Sequence, residues 1–103
     1  MDLLSRCSIE FGNVRGARAR LTNLASLIER RPHDPRVIGM YTKLQALERI
    51  LAERARQLVT GMEQLEATGQ GAEDLELDVE LVAHLERRVQ EMGALLAREL
   101  EAR

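Results

Sequence analysis

The sequence predicts an all-α protein. Three antiparallel helices are expected, the second and third forming a long coiled-coil hairpin, and the whole is expected to assemble into a larger bundle. Three observations predict this. Apolar residues recur at intervals of three and four through almost the whole chain. Two short segments carrying Pro or Gly interrupt that rhythm. Charged residues make up 31% of the chain while there are only two prolines, a balance found in long helices and coiled coils. The 103 residues are read as a single domain, 1–103, with helices at about 3–31, 35–68 and 75–102.

The second helix has the clearest signals. Asp34-Pro35 is an N-cap followed by proline at the first helical position, where a missing N–H costs nothing. Gly69 marks its end and Gly71 lies just beyond. Between them Val37, Tyr41, Leu44, Leu47, Leu51, Ala55, Leu58, Met62 and Leu65 form one stripe. Their mean spacing is close to the repeat of helices that wrap around each other, and the hairpin should be roughly 45–50 Å long at 1.5 Å per residue.

The first helix is expected to start after Asp2, and its face to be Leu4, Cys7, Phe11, Val14, Ala17, Leu21, Leu24 and Ile28. Gly12, Gly16, Asn13, Thr22, Asn23 and Ser26 weaken it intrinsically, so it must lean on its neighbours. The Gly12-x-x-x-Gly16 spacing is expected to let it sit tight against one of them. Gly39, Gly61 and Gly93, each beside a methionine, suggest room for crossing helices. Arg30 and Arg31 fall in the expected last turn, where cations suit the helix end, and Pro32 stops it.

The third helix shows Leu75, Val79, Val82, Leu85, Val89, Met92, Leu96 and Leu100 on one face, with acids Glu73, Asp74, Glu76, Asp78 and Glu80 in its first turns. Pairs Arg87–Glu91 and Glu99–Arg103 would add a few tenths of a kcal/mol each. Residues 75–81 alternate apolar and acidic, the period of a strand, but no partner strand exists and Glu and Asp disfavour one. Helix is expected there, with Asp78 as a later N-cap the alternative.

Composition narrows function. Net charge is −2, which gives no general attraction to nucleic acid or anionic membrane. The sign is uneven. Residues 1–36 hold seven Arg and four acids, and residues 68–103 hold four Arg and nine acids. The two ends are expected to balance each other. One cysteine, Cys7, allows no internal disulfide and lies on the apolar stripe, where a buried inert thiol is expected. The N-terminus does not read as a signal peptide, and no apolar run reaches the roughly 18 residues of a membrane span, so a cytoplasmic protein is expected. Fourteen Arg against one Lys fit a GC-rich, bacterial genome.

No chemistry-bearing constellation stands out. His33 and His84 are far from Cys7, Glu80/His84 occurs once where bundle metal sites need the motif twice, and the serines form no nucleophile elbow. No cofactor or metal is expected, nor an enzyme. The expected function is that of a non-enzymatic helical interaction module. It would be an adaptor, an assembly factor or a small secretion-type chaperone holding a partner helix, the size and make-up being those of small helical-hairpin chaperones. A homodimer or a helical protein partner is expected. The candidate interface is Ile38, Met40, Tyr41, Leu47, Ile50, Leu51, Leu58, Met62 and Leu65 on helix two, which carries more apolar surface than one seam needs. Two alternatives remain. One is a small nucleic-acid-binding regulator using Arg6, Arg15, Arg18 and Arg20 of the first helix, although no aromatics are present to stack on bases. The other is a small all-helical enzyme.

Overall fold

A computed structural model describes residues 2–30 and 34–101. They form α1 (Leu3–Ile28), α2 (Pro35–Thr68) and α3 (Ala72–Glu101), with no strand among the described residues. The helices run up, down and up, and α2 packs closely on α3 as a helical hairpin. The result is a rod of 53 × 21 × 17 Å, its length set by the 34 residues of α2, roughly 51 Å of helix.

The helix ends follow their caps. Asp2 is extended and its carboxylate accepts the Ser5 N–H at 2.8 Å. That hydrogen bond, with a smaller one from the Ser5 hydroxyl, holds the Asp2 carboxyl below its ordinary range. Asp34 accepts from the N–H groups of Arg36 and Val37 at 3.1 and 3.3 Å, with Pro35 opening α2. Gly69 closes α2 in the left-handed region, φ 69°, and its N–H returns to the Leu65 carbonyl at 2.8 Å.

Three local expectations are corrected. α1 ends at Ile28, so Arg30 lies in the turn beyond the helix rather than in its last turn. The expectations for Arg31, Pro32 and His33 lie outside the described residues, as does Arg103. α3 begins at Ala72, three residues early, because Gly71 completes the turn at φ 91° and Glu73 and Asp74 favour the positive helix end. As expected, the alternating segment 75–81 is helical throughout. Its two apolar pairs go to two faces, Leu75 and Val79 inward, Leu77 and Leu81 outward. Gly12 and Gly16 do not bring α1 against a neighbour, since a Cβ on either would meet open space. The same holds for Gly39, whereas a Cβ at Gly61 would stand 3.0 Å from Leu75 Cδ1.

The core is one aliphatic seam along the rod, from Cys7 and Leu75 at one end to Ile28, Val37 and Leu100 at the other. Its largest enclosed side chains are Leu44, Leu51, Leu58, Leu75 and Leu96. Each such leucine contributes about 1.5–3 kcal/mol relative to exposure.

Candidate partner-binding site

The seam is more regular than apolar residues alone suggest. On α2 the core positions are Val37, Tyr41, Leu44, Glu48, Leu51, Ala55, Leu58, Met62 and Leu65, stepping strictly by four and three. The same steps pass on α3 through Leu75, Val79, Val82, Glu86, Val89, Gly93, Leu96 and Leu100, and on α1 through Leu3, Cys7, Glu10, Val14, Ala17, Leu21, Leu24 and Ile28, of which Gly93, Leu3, Glu10 and Leu21 are half-buried. The structure therefore buries Glu48 and Glu86 where the neighbouring Leu47 and Leu85 were expected, while Leu4, Phe11 and Met92 are half-buried against the core. α2 and α3 each bury one glutamate in the seam, and Glu10 of α1 is half-buried beside it. The displaced apolar residues sit half-buried on the flanks.

These glutamates are held unequally. Glu86 is enclosed, and its Oε1 accepts from Arg20 Nη2 at 3.4 Å and from Gln90 Nε2. Glu48 Oε1 is buried, 3.7 Å from Arg18 Nε, within ion-pair range but without a hydrogen-bond partner among the described residues. Glu10 Oε2 is also buried without such a partner. Buried carboxylates need their charge met, and a bare one is costly. The basic first helix thus meets carboxylates on both neighbours. Arg6 adds a contact to Glu76 of α3 at 3.9 Å, and Arg36 of α2 meets Glu99 of α3 at 3.6 Å.

The nine candidate interface residues divide into three sets. Ile38 and Ile50 are exposed. Met40, Tyr41, Leu47, Met62 and Leu65 are half-buried against the core. Leu51 and Leu58 lie inside the chain's own seam, so a partner reaches them only if a helix moves. Stepping along the helices from the Arg36–Glu99 contact places Met40, Leu47 and Ile50 on one flank of the hairpin. Leu81, Leu85, Met92 and Leu95 of α3 fall on that same flank. Ile50 is 50% exposed there and Leu95 53%. Ile38 belongs to the opposite flank of α2.

A second feature is a groove of about 400 Å³ between α1 and α3, lined by Ala17, Leu21, Leu24, Val89, Gly93 and Ala97, with Arg20, Asn23 and Gln90 as its polar groups. It is left open in part by Gly93, Ala94 and Ala97 of α3, and even a Cβ at Gly93 would come no closer than 3.8 Å to Leu24.

The other candidate groups do not converge. Cys7 is fully buried at the far end of the seam, and burial pushes its thiol pKa up. His84 is exposed on α3. Arg15 lies over the Phe11 ring, 5.3 Å from its centre. Among the described residues no group of three or more His, Cys, Asp or Glu is placed to hold a metal ion, and no helix is long and apolar enough to cross a membrane. The residues missed by sequence reasoning are Glu48 and Glu86. No local signal marks them, because the leucine before each fits the same steps of three and four. Comparison with protein-family models, with curated proteins and with solved structures returned no match.

Proposed function

We propose that the chain is a non-enzymatic helical interaction module of the cytoplasm, an adaptor, assembly factor or small chaperone, and that it pairs with a second copy of itself through the outer flank of the α2–α3 hairpin. The observation that carries this is the amount of surface. A compact monomer of the chain's 11.6 kDa exposes about 5,800 Å². This chain exposes 6827 Å². Its radius of gyration is 16.1 Å, against about 13 Å for a compact chain of this length. The excess, of order 1,000 Å², is comparable to the roughly 800 Å² per partner of a standard interface. Large aliphatic side chains lie on the hairpin flank, and a two-fold dimer is the commonest closure for such a face.

The reading through nucleic acid has less support. Arg6, Arg18 and Arg20 already face carboxylates of the chain itself. Light scattering at micromolar concentration tests the pairing, with about twice the 11.6 kDa chain mass expected. Ile50→Glu with Leu95→Glu should return the particle to one chain mass at unchanged helicity. A wild-type chain that stays monomeric sinks the dimer.

A further inference from the structure

We propose that the α2–α3 hairpin accepts a helix bearing a small residue followed by Arg-x-Arg, that α1 is its resident occupant, and that a partner protein's helix of this pattern displaces α1. The proposal rests on the chain being a helix-holding module. It goes further by stating what the held helix must look like.

The hairpin offers two carboxylates to whatever lies in its seam, Glu48 from α2 and Glu86 from α3, whose side chains are 12% and 4% exposed. Their cationic partners both come from α1, Arg18 at 3.7 Å and Arg20 at 3.4 Å. Two residues along a helix are about 200° apart around its axis. One helix therefore serves carboxylates on both of its neighbours with a single Arg-x-Arg. Ala17, just before them, is fully buried in the seam. A larger side chain there would push the incoming helix away from both carboxylates. The recognition element is Ala17-Arg18-Ala19-Arg20.

Selection follows from desolvation. With the seam open, Glu48 and Glu86 are hydrated. A docking helix removes that water, and only a helix bringing two cations at this spacing replaces it. An apolar helix of the same shape leaves two enclosed anions unmet, and an acidic one adds repulsion. The guanidinium groups remain largely in water, with Arg18 72% exposed, so they reach in from the edge without being buried themselves.

The resident helix is built to be replaced. Gly12 and Gly16 lower its helix propensity although a Cβ at either would meet open space. Half-buried Glu10 encloses one oxygen that has no hydrogen-bond partner among the described residues. Two of the helix's five buried side chains, Cys7 and Ala17, are small, beside Val14, Leu24 and Ile28.

The test is fluorescence anisotropy with the full-length chain and a labelled peptide of residues 2–30, alone or carrying Arg18→Gln and Arg20→Gln. The full-length chain is used as wild type and with the same two substitutions, which weaken the resident helix. The wild-type peptide should bind the substituted chain at least about tenfold more tightly than the substituted peptide does, and added salt should narrow that margin. It should also bind the substituted chain more tightly than the wild-type chain. Equal affinity of the two peptides, or no uptake of either by a chain that still melts cooperatively, overturns the proposal. If the substituted chain does not fold, excess wild-type peptide should raise amide exchange over residues 5–28 of the wild-type chain, and no rise overturns it. Energy transfer between differently labelled full-length copies, abolished by Arg18→Gln with Arg20→Gln, would make a second copy the occupant and likewise overturn it. A dimer seen by light scattering while both peptides bind alike would leave the module standing and remove only the Arg-x-Arg code.

Discussion

Arg20 of α1 reaches Glu86 of α3 at 3.4 Å, and the two ends of that contact live in different media: the carboxylate is 4% exposed and the guanidinium 56%. The pair joins a solvated cation to an enclosed anion in the middle of the seam. Its two halves should therefore respond differently to mutation. Arg20→Ala leaves the carboxylate enclosed beside Gln90 alone and should destabilise by about 1–2 kcal/mol. Glu86→Leu removes the anion and fills the seam, and should be neutral or stabilising. Thermal melts of the two variants check this. A lower melting temperature for Glu86→Leu than for Arg20→Ala would show that the carboxylate is satisfied in some other way.

Leu51 and Leu58 sit at the centre of the seam and are essentially inaccessible. Leu51→Asp or Leu58→Asp buries a charge without a partner at a cost of several kcal/mol, against a total of roughly 5–15 for a domain. Both should abolish the cooperative transition. Arg56, whose contact with Glu53 at 3.2 Å lies wholly on the surface, can become Ala within about ±0.5 kcal/mol. Circular dichroism melts separate the three, and similar behaviour would mean that the seam runs elsewhere.

The glycines divide by what faces them. Gly12→Ala and Gly16→Ala add helix propensity with nothing in the way, so each should stabilise by up to about 1 kcal/mol. At roughly 4–8 °C per kcal/mol for a domain near this size, the pair is visible in a melt. Gly61→Ala gains the same propensity, but its new methyl meets Leu75 Cδ1 at 3.0 Å, so its net effect should fall below that of the other two. Gly61→Ala proving the most stabilising would mean that α2 and α3 pack less closely here.

α1 should be the first element to open. Amides of residues 5–28 should exchange faster than those of 44–62 and 82–98, and faster still in high salt as the Arg–Glu contacts are screened. Cys7 reports the same event chemically. Its thiol is buried and alkylates only when α1 lifts, so iodoacetamide should react at the opening rate of α1, well ahead of global unfolding. Because burial raises the folded-state pKa above its ordinary 9.0, the thiol's contribution is fully present below that value and fades as pH rises through the folded value. Uniform protection over all three helices would describe a single rigid bundle instead.

Much of the fold could be read from local signals because each was chemical and self-contained. Asp2 and Asp34 cap, Pro35 opens and Gly69 closes their helices through groups within four residues of themselves. The candidate site is less legible, because an apolar residue stands directly before each carboxylate of the hairpin seam. Leu47 beside Glu48, and Leu85 beside Glu86, are locally equivalent choices for a stripe with steps of three and four. Nothing in either dipeptide says which residue turns inward. Hydrophobicity alone favours the leucine, and the geometry turns the glutamate inward.

The sequence by itself determined the number of helices, most of their limits and the aliphatic character of the core, because helix propensity, capping and periodicity act over a few residues. Only the tertiary structure decided which residue of each neighbouring pair enters the seam. It also decided that Gly12 and Gly16 face open space while Gly61 meets Leu75, and that Arg18 and Arg20 divide between Glu48 and Glu86. The physical reason is common to all three. The rotation of a helix about its own axis is settled by the best fit along its entire length. One polar residue can be carried inward when the leucines above and below it hold the phase and a cation from the next helix meets its charge.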